Sequence, residues 1–191
     1  KSTTTALIGH VCAAAGRDVR VGGNIGQGVL GLEEMHGGAV YVLELSSYQL
    51  DLTSSLKPDV AVLLNVSPDH LDRHGGMEGY VAAKRRILLN QGKGDTAVIG
   101  VDDPWGQRIC TEITAANRRT IVPISASKAM GRGVYVLQGL LYDATGERAV
   151  EVVDLLRAKS LPGRHNWQNA AAAYSAVRGL GLTSQEAADG L

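Results

Sequence analysis

The sequence has no excess of charge of either sign, because 19 Lys and Arg residues balance 19 Asp and Glu residues in a chain of 191. It also lacks a basic run interleaved with aromatic residues, which is the pattern typical of nucleic-acid binding. We therefore expect no nucleic-acid partner. A chain of this length suits one domain, or one large and one small lobe, and buries roughly 70% of the surface that it exposes when unfolded.

Cysteine is scarce as well, and long apolar runs are absent. Cys12 and Cys110 lie far apart in unrelated apolar surroundings without C-x-x-C spacing, so we expect buried free thiols rather than a metal or redox site. Free thiols fit a reducing cytoplasm. No apolar run approaches ~18 residues and no signal-peptide pattern opens the sequence, so we expect a cytoplasmic protein without a membrane partner.

Helical and extended patterns alternate along the first part of the sequence. Residues 39–45 and 59–65 are rich in Val and Leu without polar alternation, as expected of strands buried on both faces of a parallel sheet. Residues 18–21 alternate and predict a strand nearer the sheet edge. Helical patterns cover residues 2–15, 77–89 and 104–116. This order predicts an α/β fold with a doubly wound, mostly parallel sheet and flanking helices, whose ligands bind at the carboxyl ends of the strands.

The pattern changes in the last part of the sequence. Two further strands are predicted at residues 97–101 and 120–124, and a small antiparallel β meander follows them. The predicted meander strands cover residues 134–137, 140–143 and 150–153. The segment LPGRHNWQNAAAAYSAVRGLGL predicts a long alanine-rich helix that ends near Gly179. Thr183 and Glu186 form a capping-box start for one more helix.

The first residues, KSTTTALIGH, suggest nucleotide binding. Lys1 and Ser2 match the end of the phosphate-loop pattern G-x-x-x-x-G-K-[ST], whose lysine contacts the terminal phosphates and whose hydroxyl reaches Mg²⁺. The helix that begins here would also offer the positive end of its dipole. An ordinary Ser or Thr N-cap explains the same residues, so the phosphate-loop interpretation needs support from other segments.

The segment VLELSSYQL places a carboxylate at the end of an apolar strand. Glu44 is costly if it is buried and unpaired, so we expect it to face solvent, form a salt bridge or bind a metal. Beside a phosphate loop, the metal is the favoured alternative. Ser46, Ser47 and Gln49 extend this polar group of residues.

The segment NVSPDHLDRH follows the next predicted strand. It contains Asp69, His70, Asp72 and His74. Such a cluster can bind a metal, supply a general base or lie solvated on the surface. Pro68 predicts a fixed turn that presents His70 at the strand end, level with Glu44. Two candidate ligands on neighbouring strand ends favour a site for two Mg²⁺ ions.

The segment GYVAAKRRILL is both helical and basic. Tyr80 and Lys84 are four residues apart and therefore share one helix face, with small alanines between them. A solvated basic helix explains Arg85 and Arg86. It does not explain the small residues beside Lys84, which leave room for a group larger than an ammonium.

Six segments occur in one order: KSTTT, GGNIG, LELSSYQL, NVSPDHLDRH, YVAAKRRI and LPGRHNWQNAAAA. With these six segments, the chain resembles the central ATP-binding domain of the Mur ligases over almost all of its 191 residues. Six motifs in register are far more specific than any one of them. Within the family, the GNIG and LELSSYQL segments favour the member that adds D-glutamate.

The resemblance implies a nucleotide and metal site. Lys1 and Ser2 match the end of the family's G-[ST]-N-G-K-[ST] loop, which holds the ATP phosphates. Glu44 and His70 match residues that coordinate two Mg²⁺ ions. Lys84 matches a lysine that CO₂ carbamylates, and the new carboxylate helps to hold the second Mg²⁺. The implied metal ligands are Ser2, Glu44, His70 and Lys84, and the implied catalytic residues are Lys1, His70 and Lys84.

The same resemblance implies contacts with ATP and with the acceptor substrate. Asn24, Ser46 and Gln49 match positions near the muramoyl-alanine substrate. His165, Asn166 and Asn169 fall in the segment that packs near the nucleotide, and Asn169 aligns with an asparagine that contacts adenine. The implied nucleotide-binding residues are Lys1, Ser2, Thr3, Asn166 and Asn169.

An activity and a domain organisation are implied as well. The family member in question joins D-glutamate to UDP-N-acetylmuramoyl-L-alanine with ATP, through an acyl phosphate, in peptidoglycan precursor synthesis. We expect a monomer. The loop glycines, the amino-terminal domain that binds uridine diphosphate and the carboxy-terminal domain that orients D-glutamate are not in residues 1–191. We therefore expect the middle part of an enzyme, cut at its phosphate loop and inactive by itself.

Four alternatives stay open from the sequence, and one of them treats every polar loop as ordinary surface that binds no ligand. The first is another ligase of this superfamily, such as the tripeptide-forming Mur enzyme or a folylpolyglutamate synthase. The second is a module that binds Mg-ATP without catalysis. The third is a metal-dependent hydrolase that uses Asp69, His70 and Asp72, which would release phosphate without an amino acid.

Overall fold

The computed structural model describes residues 1–116, 118–158, 161 and 163–191. Pro162, which belongs to the LPGRHNWQN segment, lies outside the described residues. Within the described ranges, no helix is both long enough and apolar enough to span a membrane. Cys12 and Cys110 are free thiols, and only Cys12 is fully buried. Burial raises the pKa of both thiols.

Helices and strands alternate along the described residues, as predicted. The helices are α1 (Ser2–Ala14), α2 (Ser47–Asp51), α3 (Leu71–His74), α4 (Met77–Arg85), α5 (Pro104–Ala116), α6 (Arg164–Gly179) and α7 (Ser184–Asp189). The strands are β1 (Asp18–Gly23), β2 (Ala39–Glu44), β3 (Val60–Leu63), β4 (Thr96–Gly100), β5 (Thr120–Ser125), β6 (Gly133–Leu137), β7 (Leu140–Ala144) and β8 (Val150–Asp154).

The larger sheet has six strands in the order β3-β4-β5-β6-β7-β8. Its strands are parallel from β3 to β6 and antiparallel from β6 to β8. This arrangement confirms the predicted α/β fold, with a mostly parallel sheet and a small antiparallel meander. The meander extends the same sheet, because Ile124 and Ser125 of β5 pair with Val134 and Tyr135 of β6.

Two apolar clusters make up the core. The first joins α1, α6 and α7 to the sheet, and the second joins α4 and α5 to it. Helix α6 packs closely because Ala170, Ala171, Ala172 and Ala173 are fully buried. Strand β4 has all five residues buried, as expected of a strand covered on both faces.

Some predicted boundaries differ from the structure. The helix predicted over residues 77–89 ends at Arg85, and a 3-10 turn over Arg86–Leu88 follows it. Helices α2 and α3 were not predicted, because four or five residues are too few to show helical periodicity. The capping box of α7 is confirmed, since Thr183 Oγ1 accepts from Glu186 N and the Glu186 carboxylate accepts from Thr183 N.

The expectation that Glu44 and His70 follow neighbouring strands was wrong. Strands β1 and β2 form a separate parallel pair, and β3 pairs with β4 alone among the described strands. A groove lies between β2 and β3, lined by residues 39–47, 56–60 and 62–65. Helices α1 and α6 line this groove as well, and so does α4. The carboxyl ends of β2 and β3 therefore face each other across a gap.

Candidate active site

The groove between β2 and β3 has a cavity volume of about 460 Å³. Six of the predicted site residues line it, namely Lys1, Asn24, Glu44, Ser46, His70 and Lys84. The structure therefore brings together residues from five separate sequence motifs. The other predicted residues, Ser2, Thr3, Gln49, Asn166 and Asn169, are not among its described lining residues.

The start of α1 carries no capping side chain. Lys1 is the N-cap residue and makes no side-chain capping hydrogen bond, while Thr5 N donates to Lys1 O over 2.9 Å. Ser2 and Thr3 lie inside the exposed first turn, so neither is the N-cap that the alternative interpretation requires. An uncapped helix start offers backbone N–H groups and the positive end of the helix dipole to an anion.

Glu44 is the last residue of β2 and its side chain is only 5% exposed. Its Oε1 lies 3.5 Å from Lys1 Nζ, whereas its Oε2 is buried without a hydrogen-bond partner among the described residues. A buried carboxylate oxygen without a partner is costly. This oxygen is therefore suited to a cation that approaches along the groove.

The loop after β1 reaches the same strand end. Asn24 N donates to Glu44 O over 2.8 Å, while the Asn24 side chain lies exposed at the groove. Gly23 has a φ of 101°, and a Cβ at this position would collide with Glu44 O. Only glycine fits where β1 ends against Glu44, so the GGNIG segment brings Asn24 beside the buried carboxylate.

Lys84 lies on α4 and is partly buried at the groove. Burial and then the Lys1 charge lower the pKa of Lys84 below its ordinary value, although Asp69 and Asp103 act in the opposite direction. Its Nζ lies 5.0 Å from the centre of the Tyr80 ring, which confirms that these two residues share a helix face. A lowered pKa increases the fraction of neutral amine, the form that can act as a nucleophile.

His70 has a strained backbone, with a φ of 51° at the N-cap of α3. Left-handed backbone is uncommon for residues other than glycine and clusters at functional sites. The imidazole is exposed, its Nε2 lies 3.4 Å from an Asp69 carboxylate oxygen, and its ring packs edge-on against Tyr48 with centroids 5.0 Å apart. The turn therefore presents the imidazole at the rim of the groove.

Ser46 and Gln49 form a capping box at the start of α2. The Gln49 backbone N donates to Ser46 Oγ over 3.2 Å, and Gln49 Oε1 accepts from Ser46 N over 2.8 Å. Ser46 lines the groove and Gln49 does not. Both side chains therefore stabilise the start of α2, in addition to making the substrate contact that the resemblance implies.

Asn166 and Asn169 lie buried on α6, behind the first turn of α1. Thr4 Oγ1 donates to Asn169 Oδ1 over 2.8 Å, and Asn169 Nδ2 donates to Asn166 Oδ1 over 3.0 Å. His165 is exposed in the first turn of α6. The two asparagines therefore connect the LPGRHNWQN segment to the KSTTT segment, which the sequence alone did not reveal.

The described residues contain no cluster of three or more His, Cys, Asp and Glu side chains arranged to hold a metal ion. The donors at the groove nevertheless fit Mg²⁺, which binds through one or two carboxylates and takes its remaining oxygens from phosphates and water. The unpartnered oxygen of Glu44 supplies the protein carboxylate. His70 lines the same groove, and Ser2 follows Lys1 in the first turn of α1.

Sequence reasoning underestimated two residues near the groove. His74 was noted only as part of a possible surface cluster, yet its Nε2 lies 3.1 Å from Ser47 Oγ on the opposite side. Its position four residues after His70 was a signal that the two share a helix face. Asp103 was not singled out, although its carboxylate accepts from Val66 N and Gly106 N and so holds the loop after β3.

Comparisons with known proteins define the class. The sequence profile of the Mur ligase middle domain matches residues 1–177, and the chain belongs to this family. The chain is similar to the UDP-N-acetylmuramoylalanine--D-glutamate ligases of Caulobacter vibrioides and Phenylobacterium zucineum. It is 83% and 84% identical to them over all of its 191 residues. The chain spans 41% of the length of each of these relatives.

Solved structures agree with this assignment. A UDP-N-acetylmuramoyl-L-alanyl-D-glutamate--2,6-diaminopimelate ligase matches 99% of the chain with a TM-score of 0.73 and 25% identity, and the match covers 43% of that protein. The MurF ligase of Thermotoga maritima, solved with ADP, matches 95% of the chain with a TM-score of 0.63 and 21% identity, over 43% of its own length. The second likeness concerns the fold alone.

Proposed function

We propose that the protein to which this chain belongs is an ATP-dependent ligase that joins D-glutamate to UDP-N-acetylmuramoyl-L-alanine in peptidoglycan precursor synthesis. The observation that carries the proposal is the buried Glu44 carboxylate, one oxygen of which has no partner among the described residues, beside Lys1 at the N-terminal end of α1. The identity of 83% to ligases with this name supports the choice of substrates. The protein works as a monomer in the cytoplasm.

The reaction has two steps. A carboxylate oxygen of UDP-N-acetylmuramoyl-L-alanine attacks the γ-phosphorus of ATP, the bond to ADP breaks, and an acyl phosphate forms. The amine of D-glutamate then attacks the acyl carbon, loses a proton, and phosphate leaves with that carboxylate oxygen. The first step brings two anions together, so positive charge at the groove is the main requirement for catalysis.

The residues of this chain meet that requirement in two ways. Lys1 Nζ and the first-turn N–H groups at Ser2 and Thr3 bind the ATP phosphates. Glu44, His70 and the Ser2 hydroxyl would hold Mg²⁺. Two Mg²⁺ ions, when bound, neutralise the charge that develops on the phosphate oxygens. Lys1 is also held by Glu44 at 3.5 Å, which keeps its ammonium at the helix start.

Lys84 completes the metal site after carbamylation. The ammonium first loses one proton to solvent, the neutral amine attacks CO₂ to form a C–N bond, and a second proton leaves, so that a cation becomes a carboxylate. The lowered pKa of Lys84 supports this chemistry because it increases the neutral fraction. The change also replaces repulsion between Lys84 and Lys1 with attraction.

The remaining predicted residues are assigned to substrates. Asn24 and Ser46 line the groove and contact the muramoyl-alanine portion, with Gln49 holding Ser46 through the capping box. Asn166 and Asn169 belong to the adenine side of the nucleotide site. Their hydrogen bonds to each other and to Thr4 support this assignment, since they connect that side to the helix start that holds the phosphates.

The groove also supports a proposal about how the longer protein is organised. Strands β2 and β3 are parallel to their own partners and leave facing edges, with apolar side chains from α1, α4 and α6 above and below. We propose that a strand preceding Lys1 in the longer protein lies between β2 and β3, leaves the polar residues at their carboxyl ends free for ligands, and leads into the phosphate loop, as in strand–loop–helix phosphate sites. The chain is then the middle domain, between a uridine-diphosphate domain and a carboxy-terminal domain.

The proposed function is tested by phosphate release from ATP by the full-length protein. With UDP-N-acetylmuramoyl-L-alanine present, we expect release only after D-glutamate is added, and none with L-lysine, meso-diaminopimelate or L-glutamate. Release with another amino acid would identify a different ligase of the superfamily. Release without any amino acid would identify a hydrolase instead.

A further inference from the structure

The two halves of the candidate site are carried by different sheets. Glu44 and Lys1 belong to the side of the groove formed by β2 and α1, while His70 and Lys84 follow β3. No ladder hydrogen bonds join β2 to β3 among the described residues. Side chains that cross between the two halves therefore contribute to their relative position at this end of the groove.

His74 is one such side chain, and it contacts both halves. Its Nε2 lies 3.1 Å from the buried Ser47 Oγ, in the turn immediately after Glu44. Its ring also packs edge-on against Tyr48, with centroids 5.7 Å apart. The His74 ring is therefore fixed to the start of α2, three residues after the end of β2.

On its other side His74 contacts the helix that carries Lys84. The centre of its ring lies 5.6 Å from that of Tyr80, and the Tyr80 ring in turn lies 5.0 Å from Lys84 Nζ. The backbone of His74 is held against α4 as well, because Gly79 approaches His74 O so closely that a Cβ at Gly79 would collide with it. Contacts thus run without a break from Ser47 to Lys84.

We propose that His74 is a positioning residue that sets the distance between the Glu44 side and the Lys84 side of the Mg²⁺ site. The hydrogen bond to Ser47 supplies the fixed distance, and the Tyr80 ring transmits it to Lys84. The proposal rests on the proposed function for its metal and nucleotide. Residues that orient metal ligands from behind typically contribute ~10-fold to ~100-fold to metal affinity or activity.

The test uses the full-length protein and variants that separate the two contacts of His74. His74→Phe keeps a ring but loses the hydrogen bond, His74→Gln keeps a hydrogen-bonding group near Nε2 but loses the ring, and Ser47→Ala removes the partner. The double variant Ser47→Ala with His74→Phe completes a cycle. His10→Gln, at an exposed position on the far part of α1, is the matched control.

Two measurements are made on each variant. Calorimetry gives the affinity for ATP with and without Mg²⁺, and phosphate release gives the Mg²⁺ concentration for half-maximal rate. We expect His74→Phe and Ser47→Ala each to raise that concentration and to weaken Mg-ATP by ~10-fold, with metal-free ATP affinity within about threefold of the original. We expect the double variant to match either single variant. We expect His74→Gln to lose affinity as well, because its ring contact with Tyr80 is gone, and His10→Gln to stay within about threefold.

The outcomes distinguish the two proposals. Equal losses of affinity with and without Mg²⁺, or additive effects in the double variant, would overturn the role of His74 and show a general structural contribution. If the protein binds Mg-ATP with the expected pattern but does not respond to D-glutamate, the role of His74 stands and the proposed function fails.

Discussion

Glu44 is buried at the end of β2 although one of its oxygens lacks a hydrogen-bond partner among the described residues. Such a group destabilises the folded chain unless a ligand compensates for it. We expect Glu44→Gln to weaken Mg²⁺ binding by about 10-fold to 100-fold. We expect no decrease in the melting temperature without ligand, because the amide removes the buried charge.

Titration calorimetry and thermal unfolding of the same samples check this prediction. Glu112→Gln is a suitable control, since Glu112 is a surface carboxylate paired with Arg85 and Arg108. A Glu44→Gln protein that melts well below the original and binds Mg²⁺ normally would show that Glu44 has a structural role only.

Lys84 is the second residue whose surroundings disfavour its charged form. We expect Lys84→Ala to abolish ligation, since no carboxylate can then form at this position. Added formate or acetate restores part of the rate by occupying the space of the lost carbamate. The measurement is phosphate release against carboxylate concentration, with the exposed Lys93→Ala as control. Complete loss with no restoration by any small carboxylate would contradict the carbamate role, though not the family.

The lowered pKa of Lys84 also sets a pH dependence. Only the neutral amine reacts with CO₂, so the rate of reactivation of CO₂-depleted protein rises as pH rises through this pKa and levels off above it. At fixed dissolved CO₂, we expect the midpoint of this rise to lie below about 10.4, the value for an ordinary lysine. A midpoint at or above that value would show that the amine is not perturbed.

Helix α2 shows how a short element can combine two tasks. Ser46 caps the helix and also lines the groove, while Gln49 takes part in the capping box alone. We expect Ser46→Ala to lower the free energy of unfolding by ~1 kcal/mol, and Ser46→Thr to preserve it because threonine also caps.

The variant Gln49→Glu distinguishes the capping role of Gln49 from a contact between Gln49 and the substrate. Glutamate preserves the capping box, so we expect unchanged stability from denaturant unfolding. If Gln49 also contacts the substrate, the KM for UDP-N-acetylmuramoyl-L-alanine rises, because a negative charge then lies near an anionic substrate. An unchanged KM would leave the capping box as the only role of Gln49.

The long elements could be predicted from the sequence, whereas the short ones could not. Strand β4 and helix α5 have enough residues for a clear pattern, and both lie where the sequence predicted them. Helices α2 and α3 depend on caps and on contacts across the groove. His74 could not be assigned for the same reason, since its partner Ser47 is 27 residues away in the sequence.

The chain as a whole has a sheet divided by a groove. The sequence predicted that ligands bind at the carboxyl ends of the strands, and Asn24, Ser46 and His70, from the polar segments that follow β1, β2 and β3, all line the groove. The sequence could not predict that β2 and β3 do not pair with each other, because strand pairing depends on all the strands present in the folded sheet. A buried strand with apolar side chains on both faces can pair with β2 along one edge and with β3 along the other.

We therefore expect the chain extended by the preceding residues of the longer protein to be more stable. The melting temperature rises by at least about 2 °C, since burial of a strand contributes more than ~1 kcal/mol. Amide hydrogens of residues 39–45 become protected from exchange. An extension of the same composition in scrambled order is the control. Equal melting temperatures and exchange for both extensions would contradict the strand proposal.

The central claim is that a substrate carboxylate attacks ATP at this site. The most direct test places an isotopic oxygen label in the carboxylate of UDP-N-acetylmuramoyl-L-alanine and follows it by mass spectrometry during turnover of the full-length protein with D-glutamate. An acyl phosphate requires one labelled oxygen to appear in each released phosphate. Phosphate that contains oxygen from water and none from the carboxylate would show hydrolysis of ATP and contradict the ligase mechanism.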